Sequence, residues 1–373
     1  MLLIKKLVSQ LKKKNPLKKY SPELETYLDL GYVWNSFLMF FHPPKFKSKY
    51  VNTDELGFRY TTIDGQKYSV NSSKKNLLDF ESVSFLVGGS TLFGNGASSD
   101  ANTIPSLLSK ETGRLFLNVA GRMFGSNQQL ILFSQIANMY PNLKEVFILS
   151  GFNEIFLSRY SKNTNYFGPF YFQNIFNYVM NNFAKDKSSL KYILINYLKK
   201  TNNKDLLNPR NIYLLIKKII KKFSKKQNNK INKKYETDVN AALKQYKKNL
   251  FLWKKISKGY QFKFLFILQP VPHWINKEPS NEEKELFEFL DSSPGDSRKI
   301  ESVTKKSYEK YSKGLSEICK ELDIQYYDLN KILIKYIQKN EWIFADRIHL
   351  NDNGNKKVTN CLLDIIKNNI KNN

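Results

Sequence analysis

The chain is poor in the residues that build disulfide frameworks and metal sites. It has two cysteines and three histidines in 373 residues. Cys319 and Cys361 form no CxxC pattern, so the sequence indicates neither a disulfide framework nor a metal site, and so few cysteines fit a reducing compartment. A Walker loop, a zinc-ligand pattern of Cys and His, and an RNA-binding signature are all missing, which argues against nucleic acid as a partner.

Long apolar runs are missing as well. The most apolar stretch near the N-terminus, residues 37–41, is far too short to cross a bilayer, which takes about 20 residues. Lysines interrupt the first 20 residues, so these lack the apolar core of a secretory signal. Leu3, Leu7 and Leu11 would share one face of a short basic helix. This helix could lie on an anionic membrane surface, or it could be a terminal helix that docks on the protein or is frayed. We expect a cytoplasmic protein, and peripheral binding to a membrane is the alternative.

Acidic residues are the minority among the charged ones. Lys plus Arg number 60 against 33 for Asp plus Glu, which gives a formal net charge of +27. Such a field favours anionic partners, whether nucleic acid, a membrane surface or an acidic glycan. The chain is also rich in Lys, Asn and Ile together, as a compositionally biased genome would make it, so the charge can equally be background.

Five short apolar, β-rich runs have the length of buried strands. They are residues 82–87, 115–119, 145–150, 262–268 and 324–328. Segments that can carry helices, such as 127–139, lie between the first three runs. This alternation predicts an α/β fold, a three-layer α/β/α sandwich with a central, mostly parallel, flavodoxin-like sheet of five strands. The functional site of such a sheet lies beyond the carboxyl ends of its strands.

The third and fourth runs are about a hundred residues apart, too far for a single crossover. We interpret 156–260 as a basic helical insertion, a cap or side subdomain, with amphipathic stretches at 190–198 and 212–223. Residues 185–234 carry 16 Lys or Arg and 2 Asp or Glu, which could bind an anionic glycan or a membrane surface or form a solvated helix face. We divide the rest of the chain into an N-terminal appendage, residues 1–75, and a core made of residues 76–155 and 261–373.

Small and polar residues stand at the strand ends. The first run leads through G-G-S to Ser90, whose hydroxyl could be exposed in a tight turn before a helix N-terminus that binds an oxyanion. After the second run comes Gly121, where a backbone N–H could approach a ligand closely. The third run ends in G-F-N-E, in which Asn153 offers an amide donor. Each feature alone is ordinary, because Gly, Ser and Asn are common in turns.

A further pair stands near the C-terminus, in the segment W-I-F-A-D-R-I-H-L. A serine nucleophile needs a base, and the base needs a carboxylate that holds its tautomer and stabilises the imidazolium. Asp346, three residues before His349 on one loop, could supply that carboxylate. The alternative is a surface Asp–His turn that caps the last helix.

In this order the segments G-G-S, N-V-A-G with G-S-N-Q, G-F-N-E and D-R-I-H-L resemble the four sequence blocks of the SGNH (GDSL-like) hydrolases. The resemblance spans residues 82–366 outside the insertion, and L-G-F-R at 56–59 and F-I-L-Q-P at 266–270 resemble features of bacterial members. It implies a serine esterase in which Ser90 is the nucleophile, His349 the general base and Asp346 its orienting partner. It also implies an oxyanion hole made by the N–H groups of Ser90 and Gly121 and the side-chain amide of Asn153.

The chain departs from the family pattern at three points. G-G-S replaces G-D-S, and G-F-N-E replaces G-x-N-D, which would change how the Asn153 loop is braced. The second block is stretched, so that Gly121 and Gly125 compete for the oxyanion role. We favour Gly121 because it is nearer the strand end.

The resemblance implies acyl transfer through an acyl-enzyme, with no metal or organic cofactor. Its bacterial members suggest removal of O-acetyl groups from a carbohydrate or surface-glycan precursor. An O-acyltransferase with the same triad, a lipid esterase or thioesterase, and a non-catalytic glycan- or membrane-binding protein are the alternatives. His273 and Trp274, just past the fourth run, could line the substrate pocket or be packed loop residues.

Overall fold

A computed structural model describes residues 16–72, 80, 82–141, 143–159, 237–292 and 300–371. The N-terminal segment with Leu3, Leu7 and Leu11 lies outside these residues. So do the insertion stretches 190–198 and 212–223 and the basic run 185–234. The predictions made for those segments stay predictions.

The elements are numbered here along the chain. The strands are β1 (Val33–Asn35), β2 (Met39–Phe41), β3 (Thr61–Ile63), β4 (Gln66–Tyr68), β5 (Val83–Gly88), β6 (Leu115–Ala120), β7 (Glu145–Ser150), β8 (Lys263–Leu268) and β9 (Gln325–Asp328). The helices are α1 (Pro16–Tyr20), α2 (Glu23–Leu30), α3 (Ser90–Phe93), α4 (Ile104–Thr112), α5 (Ser126–Ile136), α6 (Phe152–Ser158), α7 (Val239–Tyr260), α8 (Asn281–Ser292), α9 (Ile300–Thr304), α10 (Tyr308–Glu321), α11 (Leu329–Ile332) and α12 (Asp352–Lys371).

Strands β5 to β9 form one sheet in the order β6-β5-β7-β8-β9, and every neighbouring pair is parallel. The prediction of a three-layer α/β fold with a parallel five-stranded sheet is confirmed. Because β5 lies between β6 and β7, the chain direction across the sheet reverses there. The carboxyl ends of these three strands therefore meet at the switch point where open α/β sheets bind ligands.

Helices cover both faces of the sheet. On one face Leu108 of α4 and Leu362 of α12 share a buried cluster with Leu86 and Phe147 of the strands. The opposite face carries α5, α7 and α10, and its core is aromatic. Within the part of the chain that the structure describes, no helix is long and apolar enough to cross a membrane.

Helix α7 begins at Val239, inside the range interpreted as an insertion, and leads directly into β8. Its Trp253 lies 4.5 Å from the ring of Phe133 in α5, and its Tyr246 lies 5.1 Å from Phe266 in β8. Both side chains are buried. This helix therefore completes the core as the crossover into β8, while the predicted boundaries at 75, 155 and 260 remain predictions.

The described part of the appendage contacts the loop that follows β6. Phe40 and Phe41 of β2 pack at 5.9 and 5.7 Å from the ring of Phe124. Gln128 of α5 donates to the carbonyl oxygen of Leu38 at 2.9 Å. These contacts place the first hairpin beside the carboxyl end of the sheet.

Candidate active site

Ser90 is the first residue of α3, immediately after the turn that ends β5. Gly88 is required in this turn, because a Cβ there would lie 2.3 Å from the carbonyl oxygen of Leu149. Helix α3 ends at Gly94 in the left-handed conformation, with φ of 94°. The N–H groups at the start of a helix have no intrahelical acceptor, so those of Ser90 and Thr91 can serve a ligand.

Three side chains from two distant parts of the chain form a continuous hydrogen-bonded series. Ser90 Oγ lies 2.8 Å from His349 Nε2, and His349 Nδ1 lies 2.7 Å from Asp346 Oδ2. A carboxylate beside Nδ1 favours the tautomer with the proton on Nδ1, which leaves Nε2 to accept from the serine hydroxyl. Burial by itself would raise the pKa of Asp346, but the charge and hydrogen bonds of His349 and the N–H of Ile348 bring that pKa below its ordinary value.

The loop that carries His349 is closed by backbone hydrogen bonds and by one buried carboxylate. Ala345 N–H donates to the carbonyl oxygen of His349 at 2.8 Å. Glu283 Oε1 accepts the N–H groups of Ile343 and Phe344 at 3.0 and 3.1 Å. Glu283, on α8, is only 1% exposed. The base and its carboxylate partner are therefore held by α8 as well as by their own loop.

Asn153 is the second residue of α6 and lies against the serine turn. Its Nδ2 donates to the carbonyl oxygen of Phe124 at 2.8 Å. A Cβ built on Gly89 would lie 3.2 Å from this Nδ2, so the amide nitrogen faces the residue before Ser90. A primary amide has two N–H donors, and Phe124 takes one of them. The amide thus has one further N–H, and an oxyanion role for Asn153 stays a prediction.

The two candidate glycines of the second block both donate their N–H to acceptors within the protein. Gly121 donates to the carbonyl oxygen of Gly88 at 3.2 Å, which extends the ladder between β5 and β6. Gly125 donates to Gln128 Oε1 at 3.1 Å at the start of α5. A Cβ on Gly121 would also lie 2.3 Å from the ring of Phe124, which explains the glycine by packing. An oxyanion role for Gly121 stays a prediction that requires its bond to Gly88 to open.

Glu154 follows Asn153 in α6, stands where the G-x-N-D pattern has Asp, and ties this helix to α5 and α7. Its carboxylate accepts the N–H of Ser126, at the start of α5, and the hydroxyl of Tyr246 at 2.8 Å. Burial raises the pKa of Glu154. Tyr246 was missed in the sequence because it lies in the range interpreted as an insertion.

His273 and Trp274 pack together with Thr304 of α9. Trp274 is 5% exposed, donates from Nε1 to the carbonyl oxygen of Thr304 at 3.2 Å, and stacks on Tyr308 at 5.3 Å. His273 Nε2 lies 2.6 Å from Thr304 Oγ1, and burial lowers the pKa of His273 to about 4. These contacts are those of packed loop residues, and substrate binding by either residue stays a prediction.

No family model matches the chain, and no curated protein matches it. Among solved structures, a lipase/acylhydrolase from Enterococcus faecalis is 12% identical, with 77% of this chain and 96% of that protein covered and a TM-score of 0.41. An acetyl xylan esterase is 11% identical, with coverages of 76% and 99% and a TM-score of 0.39. A lipolytic G-D-S-L protein from Veillonella parvula is 11% identical, with coverages of 76% and 98% and a TM-score of 0.39. Many structural neighbours of this chain are thus GDSL-type lipases and acylhydrolases, at low sequence identity.

Proposed function

We propose that this chain is a serine esterase of the SGNH type. The observation that carries the proposal is the series of hydrogen bonds from Asp346 through His349 to Ser90, with distances of 2.7 and 2.8 Å. A nucleophile, a base and a carboxylate in this geometry can generate a serine alkoxide equivalent at neutral pH. The helix N-terminus at Ser90 supplies N–H donors where negative charge would develop.

The reaction begins when Ser90 Oγ attacks the carbonyl carbon of an ester and its proton passes to His349 Nε2. Asp346 stabilises the imidazolium that forms. The oxyanion receives hydrogen bonds from the N–H of Ser90 and the second N–H of Asn153, with Gly121 as the third donor once its bond to Gly88 opens. The intermediate collapses, the C–O bond to the alcohol breaks, and His349 returns the proton to the departing oxygen. Water, deprotonated by His349, then releases the acid from the acyl-enzyme and restores Ser90.

The proposed substrate is an O-acetyl ester on a carbohydrate or surface-glycan precursor. This choice rests on the resemblance of the L-G-F-R feature and the large insertion to bacterial relatives. An O-acyltransferase differs only in the acceptor, so an added glycan hydroxyl would then outcompete water for the acyl-enzyme. A lipid esterase or thioesterase would instead prefer long acyl chains or acyl thioesters. The bonded Ser90–His349 pair favours an enzyme over a binding protein that kept the fold.

The test is labelling with a fluorophosphonate probe, followed by mass spectrometry of the modified peptide. We expect an adduct on Ser90 that disappears in Ser90→Ala and His349→Ala. Ser134→Ala is the matched control, because Ser134 Oγ donates only to the carbonyl oxygen of Ile131 on its own helix and is exposed. An unlabelled wild-type protein, beside a serine esterase that reacts under the same conditions, would overturn the proposal.

The substrate classes are separated on the same preparations. Acetylated oligosaccharides, p-nitrophenyl esters of increasing chain length, and acyl thioesters are compared with and without a glycan acceptor. Acetate release from the sugar at rates well above those of long-chain esters supports the carbohydrate substrate. Acyl transfer to the acceptor in preference to water would replace the esterase with the transferase.

A further inference from the structure

Arg59, the last residue of L-G-F-R, is a fully buried cation in the appendage. Its side chain has 0% exposure, and its Nε lies 2.9 Å from Oδ1 of Asp100, which is 5% exposed. Asp100 Oδ2 also accepts from Asn52 Nδ2 at 2.7 Å. A buried ion pair is expensive to desolvate and contributes little to stability by itself. The guanidinium also has partners beyond the pair, and one of them lies in the appendage itself, where Nη2 donates to the carbonyl oxygen of Tyr50 at 2.7 Å.

The guanidinium lies at the carboxyl end of the helix that begins with the proposed nucleophile. Nη1 donates to the carbonyl oxygens of Phe93 and Gly94 at 3.1 and 2.8 Å. It also donates to the hydroxyl of Tyr27 at 2.8 Å, and that hydroxyl donates to the Gly94 carbonyl oxygen at 2.6 Å. A cation at this end of a helix binds the carbonyl groups that lack intrahelical donors.

Helix α3 is too short to hold its own geometry. It comprises four residues, Ser90 to Phe93, and the N–H of Gly94 returns to the carbonyl oxygen of Ser90 at 3.1 Å. A single turn forms few internal hydrogen bonds for the backbone angles that it fixes. Gly94 accepts from Arg59 through its carbonyl oxygen and donates to the Ser90 carbonyl oxygen through its N–H, so two hydrogen bonds link the guanidinium to the backbone of Ser90.

We propose that Arg59 is a positioning residue, which holds α3 so that Ser90 Oγ stays within hydrogen-bond distance of His349 Nε2. The expected effect on reaction rate rests on the proposed function. The expected effect on the Ser90–His349 hydrogen bond does not. Misplacing a reacting group by about 1 Å can cost about 100-fold in rate. Arg59 acts through Gly94 and never touches the substrate.

The test compares Arg59→Met, Arg59→Lys and the double variant Arg59→Met/Asp100→Asn with the wild type. We expect the maximal rate of fluorophosphonate labelling at Ser90 to fall by about 100-fold in Arg59→Met, with the probe concentration for half-maximal rate unchanged. Lysine keeps the charge and one donor group, so Arg59→Lys should recover part of that rate. The control is Arg114→Met, which breaks the ion pair of Arg114 with Glu145 at the other end of the sheet and should label at the wild-type rate.

A second readout does not need activity. The chain has three histidines, so nitrogen-labelled imidazole NMR spectra can be assigned with His349→Ala. In Arg59→Met the His349 resonances should move toward those of Ser90→Ala, because both variants lose the bond to Nε2. If Arg59→Met does not fold, Arg59→Lys and the double variant take its place in both measurements.

The outcomes separate the two proposals. A folded Arg59 variant with wild-type labelling rate and unchanged His349 resonances overturns the positioning role while the esterase proposal stands. A wild-type protein that does not label overturns the esterase, and the NMR comparison then decides the role of Arg59 by itself.

Discussion

The two sides of the candidate site are held in place in different ways. Ser90 follows a central parallel strand whose last residue, Gly88, still pairs with both neighbouring strands, and it begins the short helix α3. His349 and Asp346 lie on a loop outside the sheet, held by its own hydrogen bonds and by the carboxylate of Glu283. The nucleophile is therefore part of the fold, whereas the base depends on a few polar contacts. Substitutions of the residues that support the loop should therefore act mainly on stability, and those at the serine turn mainly on catalysis.

The largest effect is expected from the residues that join the two sides. Ser90→Ala or His349→Ala should lower kcat for a p-nitrophenyl ester by about 10⁶-fold, and Asp346→Asn by about 10⁴-fold. Combining Ser90→Ala with His349→Ala should cost little beyond the first loss, because the two act as a unit. Additive losses in kcat would contradict a shared role.

On the loop side, Glu283→Ala should lower the free energy of unfolding by about 3–5 kcal/mol. The reason is that Lys277, 2.5 Å from Glu283 and itself 7% exposed, would be left as an unpaired buried charge. Urea unfolding measures the change, and Glu285→Ala, at an exposed position of the same helix, is the control. Equal stabilities of the two variants would show that the loop is held without the carboxylate.

On the serine side, Asn153→Ala should lower kcat by about 10²- to 10³-fold with little change in stability. In the proposed mechanism the amide donates to the oxyanion, and its loss should leave the Ser90–His349 bond in place. Steady-state kinetics on a short-chain ester measures the loss, with the exposed Asn71→Ala as the control. A change confined to KM would assign the amide to substrate binding instead.

The smallest effect is expected at Glu23 on α2. Burial raises the pKa of Glu23 to about 7. The negative charges of Asp352 and Asp346 help to raise the pKa of its carboxyl group. In the folded protein Glu23 keeps its proton up to about pH 7, whereas in the unfolded chain it loses the proton near pH 4.5. The unfolding free energy therefore falls as the pH rises from 4.5 to about 7, and the full loss is present above pH 7. Glu23→Gln should stabilise the protein by about 1–3 kcal/mol at pH 8 and leave it unchanged at pH 4. Urea unfolding at both pH values measures the change, with Glu25→Gln at an exposed position as the control. An equal change in the unfolding free energy at pH 4 and pH 8 would show that titration of Glu23 is not the cause.

Much of the sheet could be predicted because β5, β6 and β7 are buried over nearly their whole length and therefore read as continuous apolar runs. The exception was α7, whose polar outer face and many lysines resembled the basic segment before it. Only its buried side, with Tyr246 and Trp253, belongs to the core. Periodicity identified helical stretches in that region without indicating which of them covers the sheet.

The sequence by itself determined the strands, the serine turn after Gly88 and the Asp–His pair three residues apart, because each depends on neighbours along the chain. Tertiary structure alone decided that Ser90 and His349, 259 positions apart, come within 2.8 Å. It also decided that the Gly121 N–H continues a strand ladder and that Arg59 is buried beneath the serine helix. The physical reason is that a polar group acquires its partner from strand register and packing, and these depend on the whole chain.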